Sequence, residues 1–257
     1  MPINYFSSKS AAERYAAGRP DFHNGTISKI KDFLHLNGKL DTALDVACGT
    51  GLSTKALLSV ANEVYGTDLS AEMLNAALEK GKIKYAIARA ENQPFEADTF
   101  DLITVSSGVH WFTMDAFLNE ANRLLKQGAW LVIYENFFSG QMEGNDAFKT
   151  WVDQVYLRRF PPPPRNKHYD WTPDHLSTKG FAIQIPENFT NQITFSKEQL
   201  ISYLTTQSNI IAVVEKGDYT YLEIELWLSK SLEPFFEDGA EKLLVYGNWI
   251  KYLQKIN

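Results

Sequence analysis

A short apolar run, Ala43-Leu44 and Val46-Ala47, leads into Cys48-Gly49-Thr50-Gly51, and the chain then enters Leu52 to Ala61, which has the composition of a helix. A strand that ends in a glycine turn and opens a helix is the first step of a βαβ unit. The pattern then repeats. Val64 to Thr67 reads as a buried strand ending at Asp68, and Ser70 caps a helix whose Met73, Leu74, Ala77 and Leu78 share a face. Ile83 to Ala88 and Phe100 to Ser106 supply two more strands, and Asp115 to Lys126 is an amphipathic helix stopped by Gly128 ahead of the strand Ala129 to Tyr134. Strands joined by helical crossovers imply a parallel sheet covered on both faces, because each crossover is right-handed and lays a helix on the sheet.

The rest of the chain is organised differently. A helix is expected near Thr26 to Leu36, ahead of the first strand, and another from about Asp146 to Arg158. Pro161-Pro162-Pro163-Pro164 cannot be helix interior and marks an exposed loop. Phe181 to Ile185 and Asn191 to Phe195 look extended, Ser196 with Gln199 forms a capping box, and Asp218 precedes a helix through Leu222, Ile224 and Leu226. Leu243 to Leu253 is apolar and aromatic but interrupted at Gly247-Asn248, which predicts a hairpin or bulged pair added antiparallel to the sheet.

Composition narrows the partners. The 257 residues carry 25 Lys and Arg against 31 Asp and Glu, a net charge of -6 that disfavours a phosphate-binding surface and so a nucleic-acid partner. Cys48 is the only cysteine, which rules out an intrachain disulfide or a cysteine metal cage and suits a reducing compartment. The first residues lack the apolar stretch of a secretory signal, and Leu200 to Val214 is too short and polar to cross a bilayer. A cytoplasmic protein without membrane contact, monomer or homodimer, is expected, with no metal site.

The glycine turn lies where a doubly wound sheet binds ligands. A dinucleotide site wants a third glycine, and Thr54 occupies that place; Asp45 also stands four residues before Gly49. A like charge at roughly 4 Å costs about 4 kcal/mol at an effective dielectric near 20, so Asp45 opposes a pyrophosphate and favours a ligand with an ammonium. Asp68, 17 residues beyond Gly51, is spaced to accept from both hydroxyls of a ribose, and Leu69 and Met73 offer an apolar face for a base. A zwitterionic amino acid joined to a nucleoside answers each demand, its carboxylate on the turn's backbone amides. S-adenosyl-L-methionine is that ligand.

Leu44-Asp45-Val46-Ala47-Cys48-Gly49-Thr50-Gly51, Asp68, Ala90-Glu91-Asn92-Gln93-Pro94-Phe95 and Arg123-Leu124-Leu125-Lys126-Gln127-Gly128, in that order, resemble the class I S-adenosylmethionine-dependent methyltransferases of the methyltransferase type 11 group. Tyr15-x-x-x-Arg19-Pro20 and His110-Trp111-Phe112 look like the trans-aconitate-methyltransferase-like branch, whose members methylate small molecules. The resemblance implies that Asp45 serves the methionine ammonium through water and that Gly49 and Gly51 approach the methionine part, with Ala47 in place of a common glycine. It implies that Asp68 holds the ribose, that Ala90 and Glu91 border the adenine, and that Tyr15 and Arg19 form a lid, with Arg19 on the cofactor's carboxylate. Ser106, ending the fourth strand, joins the cofactor set. Arg89 departs from the pattern, since an acidic residue often stands there.

The fold expected is α/β, a doubly wound Rossmann-like sheet of seven mostly parallel strands with an antiparallel hairpin strand and a helical C-terminal elaboration. Residues 1–40 would form a helical lid, 41–140 the cofactor domain and 141–257 the portion that completes the sheet and shapes the acceptor pocket. The function expected is methyl transfer to a small molecule, at a carboxylate or hydroxyl, by in-line displacement. His110 is the candidate base, Trp111 and Arg158 the candidate substrate contacts; Arg159, Arg165, Lys167 and His168 could also meet an anion. The rivals are an NAD-dependent oxidoreductase, a non-catalytic S-adenosylmethionine-binding protein, and aminopropyl transfer from the decarboxylated cofactor.

Overall fold

The computed structural model describes residues 6–77, 79–164 and 168–256. Leu78, Arg165 and Lys167 lie outside the described residues. Among the described residues one sheet holds eight strands, in the order β3-β2-β1-β4-β5-β8-β6, with β7 paired to β8. Those strands are β1 (Leu40–Val46), β2 (Ala61–Asp68), β3 (Ile83–Ile87), β4 (Phe100–Ser106), β5 (Leu125–Met142), β6 (Phe181–Ile183), β7 (Glu187–Phe195) and β8 (Lys242–Lys255). The first five pair in parallel, and β6 runs antiparallel to β8, from Phe181 opposite Lys255 to Ile183 opposite Leu253.

The chain divides into two compact units. Unit 2 takes residues 21–135, 165–188 and 249–257, and unit 1 takes residues 1–20, 136–164 and 189–248. Unit 2 contains β1 to β4 with α2 (His23–Phe33), α3 (Leu52–Leu57), α4 (Ala71–Asn75), α5 (Met114–Leu124) and α8 (Pro173–Thr178). Its core joins Leu44, Val46, Phe100, Ile103, Phe117, Leu131 and Leu253. In unit 1, α1 (Lys9–Gly18) is accompanied by α6 (Asp146–Trp151), which continues through a π-helical segment, Val152–Tyr156, into α7 (Leu157–Arg159). There too are α9 (Lys197–Leu204), α10 (Ser208–Glu215) and α11 (Tyr221–Leu232), around a core rich in Phe148, Trp151, Tyr203 and Tyr246.

Several expectations are corrected. The sheet has eight strands rather than seven, and Leu243 to Leu253 lies within one uninterrupted strand, not a hairpin. Gly247 makes no turn: it is small because a Cβ there would come within 2.6 Å of the Phe137 ring. Gly128 does not end α5, which stops at Leu124; it sits at φ +75° inside β5, where the register against β4 jumps between Phe100 and Leu102 and the extra residues bulge. The helix after Ser70 is short, ending at Asn75. Along α11 burial takes Tyr221, Ile224, Leu228 and Leu232 and leaves Leu222 and Leu226 exposed, since apolar residues occur on two faces of this helix and one alone meets the core.

Candidate active site

The turn after β1 is built from left-handed residues: Ala47 at φ +57°, Gly49 at +56° and Gly51 at +79°. Of these only Ala47 carries a side chain, at a cost of about 1–2 kcal/mol. The two glycines have different tasks. Gly49 gives the Met73 methyl room, 3.2 Å from where a Cβ would be, whereas a Cβ on Gly51 would collide with the Tyr85 hydroxyl. The same Tyr85 ring crosses Gly66 of β2, passing 2.7 Å from the place of a Cβ. Met73 is therefore buried against the turn.

Asp45 is fully buried. Its Oδ2 accepts from Ser53 Oγ at 2.6 Å and Thr54 Oγ1 at 2.7 Å, and its Oδ1 from Thr104 Oγ1 at 2.9 Å. Burial raises its carboxyl to about 6, and the three hydroxyls hold it back from going further. Thr54, where a dinucleotide fold has its third glycine, is thus a hydroxyl donor that fastens the start of α3 to β1. The sequence reading missed Ser53, Thr54 and Thr104; paired hydroxyls one turn after an aspartate-bearing strand were the available signal.

Three of the turn's amides are also committed. Cys48 donates to the Thr67 carbonyl, Gly49 to Asp68 Oδ2 and Gly51 to the Cys48 carbonyl, each at 2.9 Å. At these three positions the amides close the turn itself. Asp68 is half-buried and accepts a second amide, from Ser70, at 2.8 Å. Burial pushes its carboxyl up and the amides offset part of that. On either side are exposed aliphatic side chains, Leu69 at 53% and Ile87 at 61%; Ile87 is the register partner of Asp68 on β3. Sequence reading names Leu69 and passes over Ile87, which lies in the third expected strand.

Ala90 is buried, and Glu91 is engaged twice, by the Thr113 amide at 2.8 Å and by the Arg89 guanidinium at 3.6 Å. Arg89 therefore pairs with its neighbour. His110 and Trp111 lie in a short 3-10 turn, Val109–Trp111, their rings 4.7 Å apart. The turn follows Ser107 at φ +53° and Gly108, whose missing Cβ admits the Ala47 methyl at 3.0 Å. Ser106 hydrogen-bonds the buried Tyr134 hydroxyl, which also meets His23 Nδ1 at 3.0 Å. Neither Tyr134 nor His23 was expected.

Tyr15, Arg19 and Arg158 are in unit 1. Arg158 is exposed on α7. Tyr15 and Arg19 come together, the guanidinium 4.4 Å from the ring centroid, and Arg19 Nη2 donates to the Thr206 carbonyl at 3.0 Å.

Residues 44–133, the strands and turns just described, match the model of a methyltransferase domain. That stretch is similar to a methyltransferase domain. The chain is 26% identical to a candidate methyltransferase of Dictyostelium discoideum over 91% of its own length and 89% of that protein. Its fold is shared with a candidate type II methyltransferase from Anaeromyxobacter dehalogenans, at 20% identity and a TM-score of 0.69 over 91% of this chain and 97% of that one. It is also shared with phosphoethanolamine N-methyltransferase 2 of Haemonchus contortus in complex with S-adenosyl-L-methionine, at 18% identity and a TM-score of 0.54 over 98% of this chain and 60% of that one. No helix among the described residues is long and apolar enough to cross a membrane.

Proposed function

We propose that the chain moves the methyl group of S-adenosylmethionine to a small molecule, at a carboxylate or a hydroxyl. The observation that carries this reading is Asp68 between exposed Leu69 and Ile87. The Gly49, Ser70 and Leu69 amides fill three of the roughly four acceptor positions of its carboxylate, which orients it and leaves one for a ribose hydroxyl. The aliphatic pair supplies an apolar seat for a flat base. A pyrophosphate finds little here, since Gly49 and Gly51 have spent their amides and Thr54 is tied to Asp45; this weighs against the oxidoreductase reading.

The bound sulfonium supplies an activated methyl. What the chain adds is alignment, which in well-oriented systems contributes about 7–11 kcal/mol, and exclusion of water. Ala47, Ala90, Glu91, Ser106, His110 and Trp111 stand close to the strand ends where that alignment is needed. Asp45 braces the turn, and any role toward the ammonium would pass through the groups around it. A carboxylate acceptor is already ionised at neutral pH; a hydroxyl acceptor would give up its proton to His110.

Calorimetric titration with S-adenosylmethionine, followed by transfer of labelled methyl to small acids and phenols, tests the reading. Asp68→Asn should weaken cofactor binding at least about tenfold, the loss expected for charge-assisted hydrogen bonds. Heat with NAD and none with S-adenosylmethionine would overturn the proposal.

A further inference from the structure

Helix α1 carries two arginines that are treated differently. Arg14 pairs with Glu225 and lies 4.0 Å over the Tyr221 ring. Arg19, a little over one turn later, forms no ion pair among the described residues. Its Nε is buried without an acceptor, and its guanidinium is met by rings: Tyr15 at 4.4 Å and Tyr203 at 5.2 Å, with Tyr156 and Tyr246 close enough to act on its charge. Gly18 makes this possible. A Cβ there would be 2.6 Å from the Ser202 carbonyl oxygen, so only glycine lets α1 reach α9 and set Arg19 beside Tyr203. A cation enclosed in this way without a counter-ion is costly, and the cost is met when a ligand brings the anion.

A second group points the same way. Asn136 is buried, and neither its Nδ2 nor its Oδ1 has a partner among the described residues. Burial alternates along β5 from Tyr134 to Met142, so Asn136 shares a face with Phe138. The Phe138 ring lies 5.9 Å from both Tyr203 and Tyr246, the rings around Arg19. A buried amide with all its hydrogen-bonding capacity unused is rare in a folded protein.

We propose that unit 1 holds a carboxylate-binding site of its own, with Arg19 as the cation and Asn136 as a second polar contact, and that it takes an acid carried on a flat, apolar skeleton. The ring walls set the shape of the skeleton, and Tyr15, the partly exposed ring of the four, marks the side of entry. Naming this acid as the methyl acceptor rests on the methyltransferase reading; the site itself does not. The same chemistry could be met by the cofactor's own carboxylate, which the sequence reading gave to Arg19, and the test separates the two.

The full chain is titrated, without cofactor, with benzoate, cinnamate and the neutral benzamide, and separately with S-adenosylmethionine. The acids should bind and benzamide should bind at least about tenfold more weakly. Arg19→Gln should weaken the acids at least about tenfold and Asn136→Ala severalfold, Arg14→Gln should leave them unchanged, and cofactor affinity of the Arg19 variant should stay within about threefold. Arg19→Lys, which keeps the charge and loses the planar fork, should fall between wild type and Gln and serves if the Gln variant does not fold. The proposal is overturned if neither acid binds at about 10 mM, or if both bind the Arg19 variants as well as wild type. It is also overturned if Arg19→Gln loses the cofactor as severely as the acids, which would assign the guanidinium to the cofactor. Acid binding with no cofactor binding in wild type would leave the site standing and remove the methyltransferase reading.

Discussion

Asp45 gives the folded chain a pH dependence of definite sign. Its carboxyl rises from 3.8 to about 6 on burial, so the folded state holds the proton more tightly than the unfolded state. Its contribution to stability therefore falls as pH rises from about 4 to 6 and is constant above, a loss of roughly 3 kcal/mol at about 1.4 kcal/mol per pH unit. Asp68, shifted the same way, adds to that slope. Urea unfolding of wild type and Asp45→Asn across this range should show the difference between them turning against wild type by up to that amount; a pH-independent difference would contradict the assignment. At Ala47 the strain is steric. Ala47→Gly should relieve the left-handed backbone at φ +57° and, after the added freedom of the unfolded chain, raise stability by about 0.5–1 kcal/mol, read as a higher Tm. The aspartates were legible as residues, because charge at a strand end stands out in a sequence. Their partners were not, since Ser53, Thr54 and Thr104 acquire meaning only once α3 and β4 close on Asp45.

Among elements, those with local signals were read well and those defined by distant contacts were not. β4 falls on Phe100–Ser106 as its apolar run predicts, Ser70 caps α4, and Ser196 with Gln199 forms the full capping box of α9. Two of the misread elements involve a glycine taken as punctuation. Gly247 and Gly128 look alike in sequence, yet one clears space for Phe137 and the other turns a bulge, and no local pattern distinguishes the two. Gly18 is a third case, spent on the approach of α1 to α9. Gly18→Ala would gain helix propensity and still destabilise the chain by about 1–3 kcal/mol, because the Ser202 carbonyl is backbone and cannot swing aside. Denaturant unfolding measures this, and the same variant should lose acid binding along with the seat of Arg19.

For the whole molecule the division into two interleaved units sets where each ligand leaves its mark. S-adenosylmethionine at about a hundred times its Kd should add roughly 2.7 kcal/mol of stability. Hydrogen exchange should slow at residues 45–51 and 66–70, in unit 2. A bound carboxylate should instead protect α1 and α9, in unit 1. Neither unit is a continuous stretch of chain, which no composition shift in the sequence announces. Leu253 belongs to the core of unit 2, and buried Lys255 reaches Asp98 and the Leu125 carbonyl, each at 2.8 Å. Every segment of unit 1 precedes residue 249. In order of synthesis, then, the ribosome releases the first four strands of unit 2 before most of the tyrosine-rich unit, and the residues that complete the core of unit 2 come after the last segment of unit 1.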